Sequence, residues 1–488
     1  MNYYSSFIHS LFLCSLLLIN TNTTASSQSI INTLPGYPGT LPFKLETGYI
    51  GVGEEDEVQL FYYFIQSEND PERDPLILWL DGGPGCSSLS GLVYEIGPLA
   101  FDIEGFDGSL PSFTLNPYSW TKIANIIFLD YPVGTGFSYA ATPQAYNSND
   151  TKSAQHNYSF LRKWLLNHPS FLKNRMYIAG DSHGGKITPM LALEIVKGGV
   201  LIKTMNFFGN EAGLEPRMLL QDNNVEELKQ GYVVGNSVAN MNKDYNEKVP
   251  YAHRMALISD EYFEIDNLVD EYCLVLDNMK IMDRSTISAS KEQLSWEYGN
   301  PDPENVQCLY ALQLVKECVS HVNEAHILEP ICKYMSPRPN VSRLGQLFLE
   351  DDPVNLLSLS KQDQPWCRIH NYATSIVWAN DEASTSSSHQ KGTCGTITEW
   401  KRCNPGLSYK QDVESVLQHH RLLHEKGFQA LAYSGDHDMV VPYLSTLKWI
   451  RDLNLTLDED WRPWIVDGQV AGVQVIQLQN TSPNNVLQ

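Results

Sequence analysis

The segment Gly180-Asp181-Ser182-His183-Gly184 has the spacing G-x-S-x-G and follows the apolar run 176–179. A stretch of small and apolar residues, 187–196, comes after it. Strand, sharp turn and helix are the setting of a nucleophile elbow. The glycines let the chain reverse, and the serine hydroxyl stands at the carboxyl end of a sheet beside a helix N-terminus. The chemistry this suits is acyl transfer through a serine ester. The bland alternative is a glycine-rich turn whose serine merely caps a helix.

Two further segments follow apolar runs in the same way. In Trp79-Leu80-Asp81-Gly82-Gly83-Pro84-Gly85-Cys86-Ser87-Ser88, residues without side chains let a backbone N–H approach a reacting carbonyl, as an oxyanion hole requires. The N–H groups of Gly83 and His183 are the expected donors, one from each turn. Standing alone, this loop would read as a tight turn with a structural cysteine. In Tyr433-Ser434-Gly435-Asp436-His437-Asp438, an aspartate at a strand end downstream of the serine fits the hydrolase order Ser, Asp, His. Asp438 is the candidate to orient an imidazole, with Asp436 or a structural turn as the alternative.

The elements needed to hold these turns are legible as short apolar runs at 60–65, 76–80, 124–129 and 176–179. Such runs suit strands buried on both faces, as in a parallel sheet covered by helices. Between them, residues 154–166 place Tyr158, Leu161, Trp164 and Leu165 at helical spacing. The alternation predicts an α/β doubly wound sheet. After about residue 235 the character changes: 250–335 is cysteine-bearing, with a helix expected over 254–264, and Pro337-Arg338-Pro339 opens a polar segment. Residues 240–365 therefore read as an inserted cap and linker. Alternation resumes with a helix over 413–423, a strand over 430–433 and a helix over 443–453. The expected division is a signal peptide (1–25), a first core part (26–239), the cap and linker (240–365) and a second core part (366–488).

Composition excludes several classes. The 488 residues carry 34 Lys+Arg against 57 Asp+Glu, a net charge of −23, so no cationic face for nucleic acid is expected. With 42% hydrophobic residues, 10 Trp, 25 Tyr and 17 Phe, the chain is not a disordered one. The apolar run 7–19 is shorter than the ~20 residues that cross a bilayer and suits a signal peptide. The mature protein is thus expected to be off the membrane, in the secretory pathway, and vacuolar or extracellular. Of nine cysteines, Cys14 falls in that leader; Cys86, Cys273, Cys308, Cys318, Cys332, Cys367, Cys394 and Cys403 remain. An even number in a secreted chain reads as disulfides, and no C-x-x-C pair or His pair supports a zinc site. Sequons at Asn149, Asn157, Asn340, Asn454 and Asn480 lead to the expectation of N-glycans.

The three turns together resemble the plant serine carboxypeptidase-like family. So do Asp130-Tyr131-Pro132-Val133-Gly134-Thr135-Gly136-Phe137-Ser138-Tyr139, Pro250-Tyr251-Ala252-His253 and Trp378-Ala379-Asn380-Asp381. The likeness runs from about residue 35 to about 472. It implies an α/β-hydrolase fold with a mostly parallel sheet and a helical, disulfide-stapled cap. It gives Ser182 the part of nucleophile, Asp438 that of the triad acid, and Gly83 with His183 the oxyanion hole. It also suggests a bridge from Cys86 to a far partner such as Cys403. No metal or cofactor is implied.

Peptidases of this kind carry Asn before Gly-Gly-Pro-Gly and Glu before the serine, to hold the peptide's terminal carboxylate. This chain has Asp81 and Asp181. An ionised Asp repels a carboxylate but accepts hydrogen bonds from sugar hydroxyls. The pair is similar to the acyltransferase branch, which moves an acyl group from a glucose ester to an acceptor hydroxyl. A serine carboxypeptidase is the alternative enzyme.

The family's general base is expected in a Gly-His-Thr-Ala type stretch beyond the triad acid, yet no histidine follows His437 in this sequence. The C-terminal strand and helix read as truncated. Losing a triad member costs about 10⁴ to 10⁶ in rate, so a catalytically silent binding protein is the third reading. His437 and His183 are poor substitutes. His183-Gly184-Gly185 also replaces the usual Tyr-Ser-Gly, and extra residues enter around 199–208 and 219–227, with a low-complexity stretch at 383–388.

Overall fold

The computed structural model describes residues 28–103, 106–198, 231–260, 263, 306–329, 368–381 and 399–478. In chain order its strands are β1 (Gln28–Ile31), β2 (Leu45–Val52), β3 (Val58–Ile65), β4 (Leu76–Leu80), β5 (Leu99–Phe101), β6 (Phe113–Leu115), β7 (Asn125–Leu129) and β8 (Tyr139–Ala140). They continue with β9 (Ser148–Asn149), β10 (Met176–Asp181), β11 (Gly231–Gly235), β12 (Tyr409–Lys410), β13 (Gln429–Tyr433), β14 (Thr456–Val466) and β15 (Gln469–Leu478). The α-helices are α1 (Asp150–Asn167), α2 (Ser182–Lys197), α3 (Met241–Asn246), α4 (Lys248–Arg254), α5 (Val306–Val319), α6 (Arg368–Asn380), α7 (Leu417–Glu425) and α8 (Tyr443–Asp452).

The central sheet runs β1-β2-β3-β7-β4-β10-β11-β13, with β8 beside β3. From β7 to β13 every pairing is parallel. The run 60–65 lies within β3, which is buried on both faces as expected. It is, however, antiparallel to both β2 and β7. Continuous burial reports that both faces are covered; it carries no information about strand direction. The short connection through Glu54–Asp56 lets β3 fold back on β2.

Alternate side chains of the sheet enter two cores. Tyr62, Phe64, Leu78 and Ile127 pack with Trp164 of α1 and Ile187 of α2 on one face. Phe61, Tyr63, Ile77, Trp79 and Phe128 pack with Trp378 of α6 on the other. Covering both faces is what lets a nearly all-apolar strand be stable in water. Helix α1 begins at Asp150, ahead of the expected start, because Asn149 Oδ1 accepts from the Lys152 N–H at 2.7 Å and caps it.

Two expected helices are displaced. The one expected over 254–264 is broken: α4 ends at Arg254, Ala256 takes a φ of 56°, a conformation that does not continue a right-handed helix, and of the described residues beyond it Asp260 and Phe263 are helical again. The one expected to open at 413 starts at Leu417, since the Val413 N–H is engaged by Asp150 Oδ2 at 3.0 Å. Residues 456–478 form a two-stranded ribbon, β14 with β15, outside the central sheet, with Trp461, Trp464, Val470 and Val473 exposed.

The described parts of 240–365 pack onto the second core part: Val249, Tyr251, Ala252, Val315 and Val319 cluster with Met439 and Leu444. The remainder of that insertion, the Pro337-Arg338-Pro339 segment, the extra residues at 199–208 and 219–227, the stretch 383–388 and the leader lie outside the described residues. Cys86 is bonded to Cys403. Cys318 is a free, exposed thiol, a departure from complete pairing; the side chains of the other cysteines lie outside the described residues. No described helix is long and apolar enough to cross a membrane.

Burial also sorts the sequons. Asn157 is 0% exposed, and a glycan cannot be accommodated in a closed core. Asn454 sits exposed at the end of α8. In a secretory host, glycopeptide mass spectrometry should find Asn454 occupied and Asn157 empty. Occupancy at Asn157 in folded protein would contradict this packing.

Candidate active site

Parallel register places the functional turns in one row. Gly180 of β10 lies opposite Leu80 of β4, Asp181 opposite Gly235 of β11, and Gly235 opposite Tyr433 of β13. The residues that leave the sheet next are therefore Asp81, Ser182, Asn236 and Ser434, side by side at its carboxyl edge.

Ser182 takes a φ of 50° and begins α2. A non-glycine residue in this region costs about 1–3 kcal/mol and persists only where its surroundings enforce it. The enforcement is visible: a Cβ at Gly184 would lie 2.0 Å from the Leu80 carbonyl oxygen, and one at Gly180 2.7 Å from the same atom. The G-x-S-x-G glycines thus allow α2 to start directly against the end of β4. A Cβ at Gly82 would lie 2.7 Å from Ser182 Cβ and 3.1 Å from its Oγ. The glycine loop and the elbow are in contact, Gly82 lying against Ser182 and the Asp181 carbonyl. Ser182 is half-buried, so its hydroxyl remains accessible.

The glycine loop is fixed from behind. Asp130, fully buried, accepts from Ser87 Oγ at 2.7 Å, the Ser88 N–H at 2.8 Å and the Phe137 N–H at 2.8 Å. Burial pushes its pKa up to about 6, against the pull of those donors. On the outer side, Ser87 donates its N–H to the Arg402 carbonyl at 2.7 Å, next to the Cys86–Cys403 bond. The family-like segment that opens at Asp130 is thus a brace for the loop.

Beside Ser182, carboxyl oxygens of Asp81, Asp181 and Glu95 all lie within 4.8 Å of one another. Glu95 was missed by sequence reasoning, because nothing in 91–95 marks it. Here the premise of an ionised Asp81 is corrected. Burial, then the charges of Glu95 and Asp181, push its pKa well above the carboxylate range. Desolvation of its carboxyl against its neighbours, then Asp181, push Glu95 upward although the residue as a whole is exposed, with Arg402 opposing; burial raises Asp181 to about 6, with backbone donors opposing. The trio therefore shares protons, and it can both donate and accept hydrogen bonds.

All three groups have folded pKa values above their unfolded ones. Their stabilising contribution is complete below the unfolded pKa near 4 and is lost as pH rises through the folded values. Asp81→Asn removes one member. Its melting temperature should fall less steeply than that of the native sequence between about pH 5 and 8, with ~1–3 kcal/mol gained at the upper end. Thermal unfolding across that range checks this; parallel curves would contradict it.

Asp438 is seated by three donors: Asn236 Nδ2 at 2.9 Å and the N–H groups of Val440 at 2.7 Å and Val441 at 3.2 Å. Asn236, at a φ of 36°, also accepts from the Gly435 N–H at 2.9 Å, tying the loop after β11 to that after β13. Asp436 instead points outward, and its carbonyl accepts from Tyr251 OH at 2.6 Å. Among the described residues no side chain hydrogen-bonds Ser182 Oγ. His437 faces His326 and Asp436.

His183 turns its ring away from the serine. Its Nε2 meets Asp150 Oδ1 at 3.0 Å, and burial holds its pKa below the usual value. Lys186, one turn along α2 and fully buried, meets Asp150 Oδ2 at 3.0 Å. Tyr409 OH donates to Asp150 at 2.8 Å. Burial alone would raise the Asp150 pKa, but the His183 hydrogen bond and the Lys186 charge outweigh it and hold the carboxylate well below its ordinary range. This knot lies behind the elbow and takes the place of the aromatic residue expected after the serine.

The serine carboxypeptidase family profile matches residues 35–480. Serine carboxypeptidase-like 14 of Arabidopsis thaliana is 40% identical over 467 residues, 96% of this chain and 90% of that protein. Serine carboxypeptidase-like 3 of the same plant is 39% identical over 472 residues, again 96% and 90%. Among solved structures, the prohormone-processing carboxypeptidase Kex1(delta)p from Saccharomyces cerevisiae aligns with a TM-score of 0.60 at 18% identity, covering 91% of this chain and 86% of that one. That likeness shares the α/β-hydrolase fold, with its mostly parallel central sheet. On the extent of these matches, the chain belongs to the serine carboxypeptidase family.

Proposed function

We propose that this chain acts on a sugar ester through Ser182, as a serine carboxypeptidase-like acyltransferase of the secretory pathway, and that it does so slowly. The observation that carries this reading is the proton-sharing trio of Asp81, Glu95 and Asp181 beside the serine. A peptide's terminal carboxylate adds a negative charge to three crowded carboxyls and demands further protonation. A polyol adds none, and its hydroxyls match groups that donate and accept. Ser182 Oγ attacks the ester carbonyl, and the developing oxyanion lies between the N–H groups of Gly83 and His183. The C–O bond to the sugar breaks, and the serine proton passes, directly or through water, to the departing sugar oxygen. An acceptor hydroxyl then takes the acyl group and returns a proton to Ser182.

A silent binding protein is the second reading, favoured by the lack of any imidazole hydrogen-bonded to Ser182 among the described residues. The test supplies purified chain with a glucose ester plus an alcohol, and separately with a blocked dipeptide, with products followed by mass spectrometry. Ester transfer abolished by Ser182→Ala supports the transferase. Dipeptide cleavage without ester transfer overturns it in favour of a carboxypeptidase. Saturable ester binding without turnover, unchanged in Ser182→Ala, assigns the binding role.

A further inference from the structure

A pair of histidines lies away from Ser182, where the cap meets the Asp438 loop. The Ile327 N–H donates to the His437 carbonyl at 2.9 Å, and the Met439 N–H donates to the Glu324 carbonyl at 2.8 Å. These two bonds clamp the turn at 324–327 against the turn at 437–439, which brings His326 and His437 across from each other. Their ring centroids are 5.3 Å apart, with the planes at 46°. His326 Nδ1 is shielded from solvent and has no hydrogen-bond partner. His437 Nδ1 lies 3.6 Å from Asp436 Oδ1, and that carboxylate is largely exposed.

An imidazole nitrogen binds zinc at about 2.0–2.1 Å in a tetrahedral shell, which sets the centroids of two rings on one ion roughly 5 Å apart. The observed separation is already of that size. A ligating imidazole commonly has its other nitrogen against a carboxylate, which orients the ring and raises its basicity. Asp436 Oδ1, at 3.6 Å, lies just beyond hydrogen-bond distance of His437 Nδ1 and would have to close in by a few tenths of an ångström to do this. Two neutral nitrogens select a borderline-soft ion such as Zn²⁺, Ni²⁺ or Cu²⁺ over Mg²⁺ or Ca²⁺, which prefer oxygen shells. Neither ring serves the serine chemistry: His437 turns towards the cap, and His326 belongs to it.

We propose that His326 and His437 form a two-histidine site for a zinc-class divalent ion, completed by water, which pins the cap segment to the loop that carries Asp438. The inference stands whether or not Ser182 turns over substrate. Because the ion joins two segments that are separate in the chain, binding stabilises the folded form and not the unfolded one.

The test uses the full chain stripped with EDTA and titrated with ZnCl₂ by calorimetry, with thermal unfolding in parallel. One ion should bind with micromolar affinity and raise the melting temperature, whereas MgCl₂ should do neither. His326→Gln and His437→Gln should each weaken zinc binding at least about tenfold, while Asp81→Asn and His253→Gln leave it intact. If the histidine variants fail to fold, Cu²⁺ added at one equivalent to the unaltered chain should give an electron paramagnetic resonance spectrum with two-nitrogen coupling. Absence of zinc stabilisation up to millimolar concentration, or zinc binding that survives both histidine substitutions, overturns the proposal. So does loss of zinc binding in Asp81→Asn, which would place the ion on the carboxylates.

Discussion

Asp150→Ala should destabilise the protein by about 3–5 kcal/mol, the cost of leaving a buried charge without its partner. Lys186 is 0% exposed and its ammonium meets Asp150 Oδ2 at 3.0 Å, while His183 leans on the other oxygen. Removing the carboxylate strands a charge one turn into the helix that opens with Ser182. It also frees Tyr409 OH and the Val413 N–H, which tie the second core part to α1. Urea unfolding at pH 7 measures the effect. The double variant Asp150→Asn, Lys186→Met should recover most of the loss, because it removes the stranded charge together with its partner. A loss below about 1 kcal/mol in Asp150→Ala would show that the knot is not what holds the elbow. The folded pKa of Asp150 is depressed, so its contribution is present above the unfolded pKa near 4 and is lost only as pH falls below that.

Gly184→Ala should cost about 3 kcal/mol, at the upper end of what overpacking does, and should open the site. The added Cβ would lie 2.0 Å from the Leu80 carbonyl oxygen and 2.9 Å from that of Asp81. Both are backbone atoms of the strand end and the glycine loop, and no rotamer change can clear them. Either the first turn of α2 or the loop must withdraw, which separates the two turns that face the reacting carbonyl. Gly406→Ala is the control: its nearest neighbour would be Asn404 Oδ1 at 3.4 Å, and a change within about 0.5 kcal/mol is expected. Equal stability of the two variants by denaturant unfolding would contradict the close approach.

The elbow and the glycine loop were legible in the sequence because their chemistry is local: glycines at fixed offsets after an apolar strand can do few other things. The position of Asp438 in the turn after β13 was legible for the same reason. The direction of β3 was not, since its all-apolar pattern fits either pairing. Glu95 left no trace because its partners are set by sheet register, 14 residues from Asp81 and 86 from Asp181. The ion pair of Asp150 with Lys186 is equally silent, as each residue alone reads as an ordinary surface charge on a helix. The ionised state assigned to Asp81 failed for a related reason: residue type sets the reference pKa, but burial and neighbours set the shift. The bridge from Cys86 to Cys403 came from family likeness, and its spacing alone would not have chosen it among the cysteines.

The central claim is that Ser182 Oγ is accessible and faces amide donors disposed for a tetrahedral adduct. Phenylboronic acid tests this without requiring turnover, because a serine oxygen converts trigonal boron to a tetrahedral, anionic adduct that fits an oxyanion site. ¹¹B nuclear magnetic resonance should show the tetrahedral signal with the unaltered chain, and that signal should vanish in Ser182→Ala. A spectrum that stays trigonal at saturating boronate, or a tetrahedral signal that persists without the serine, would contradict the account.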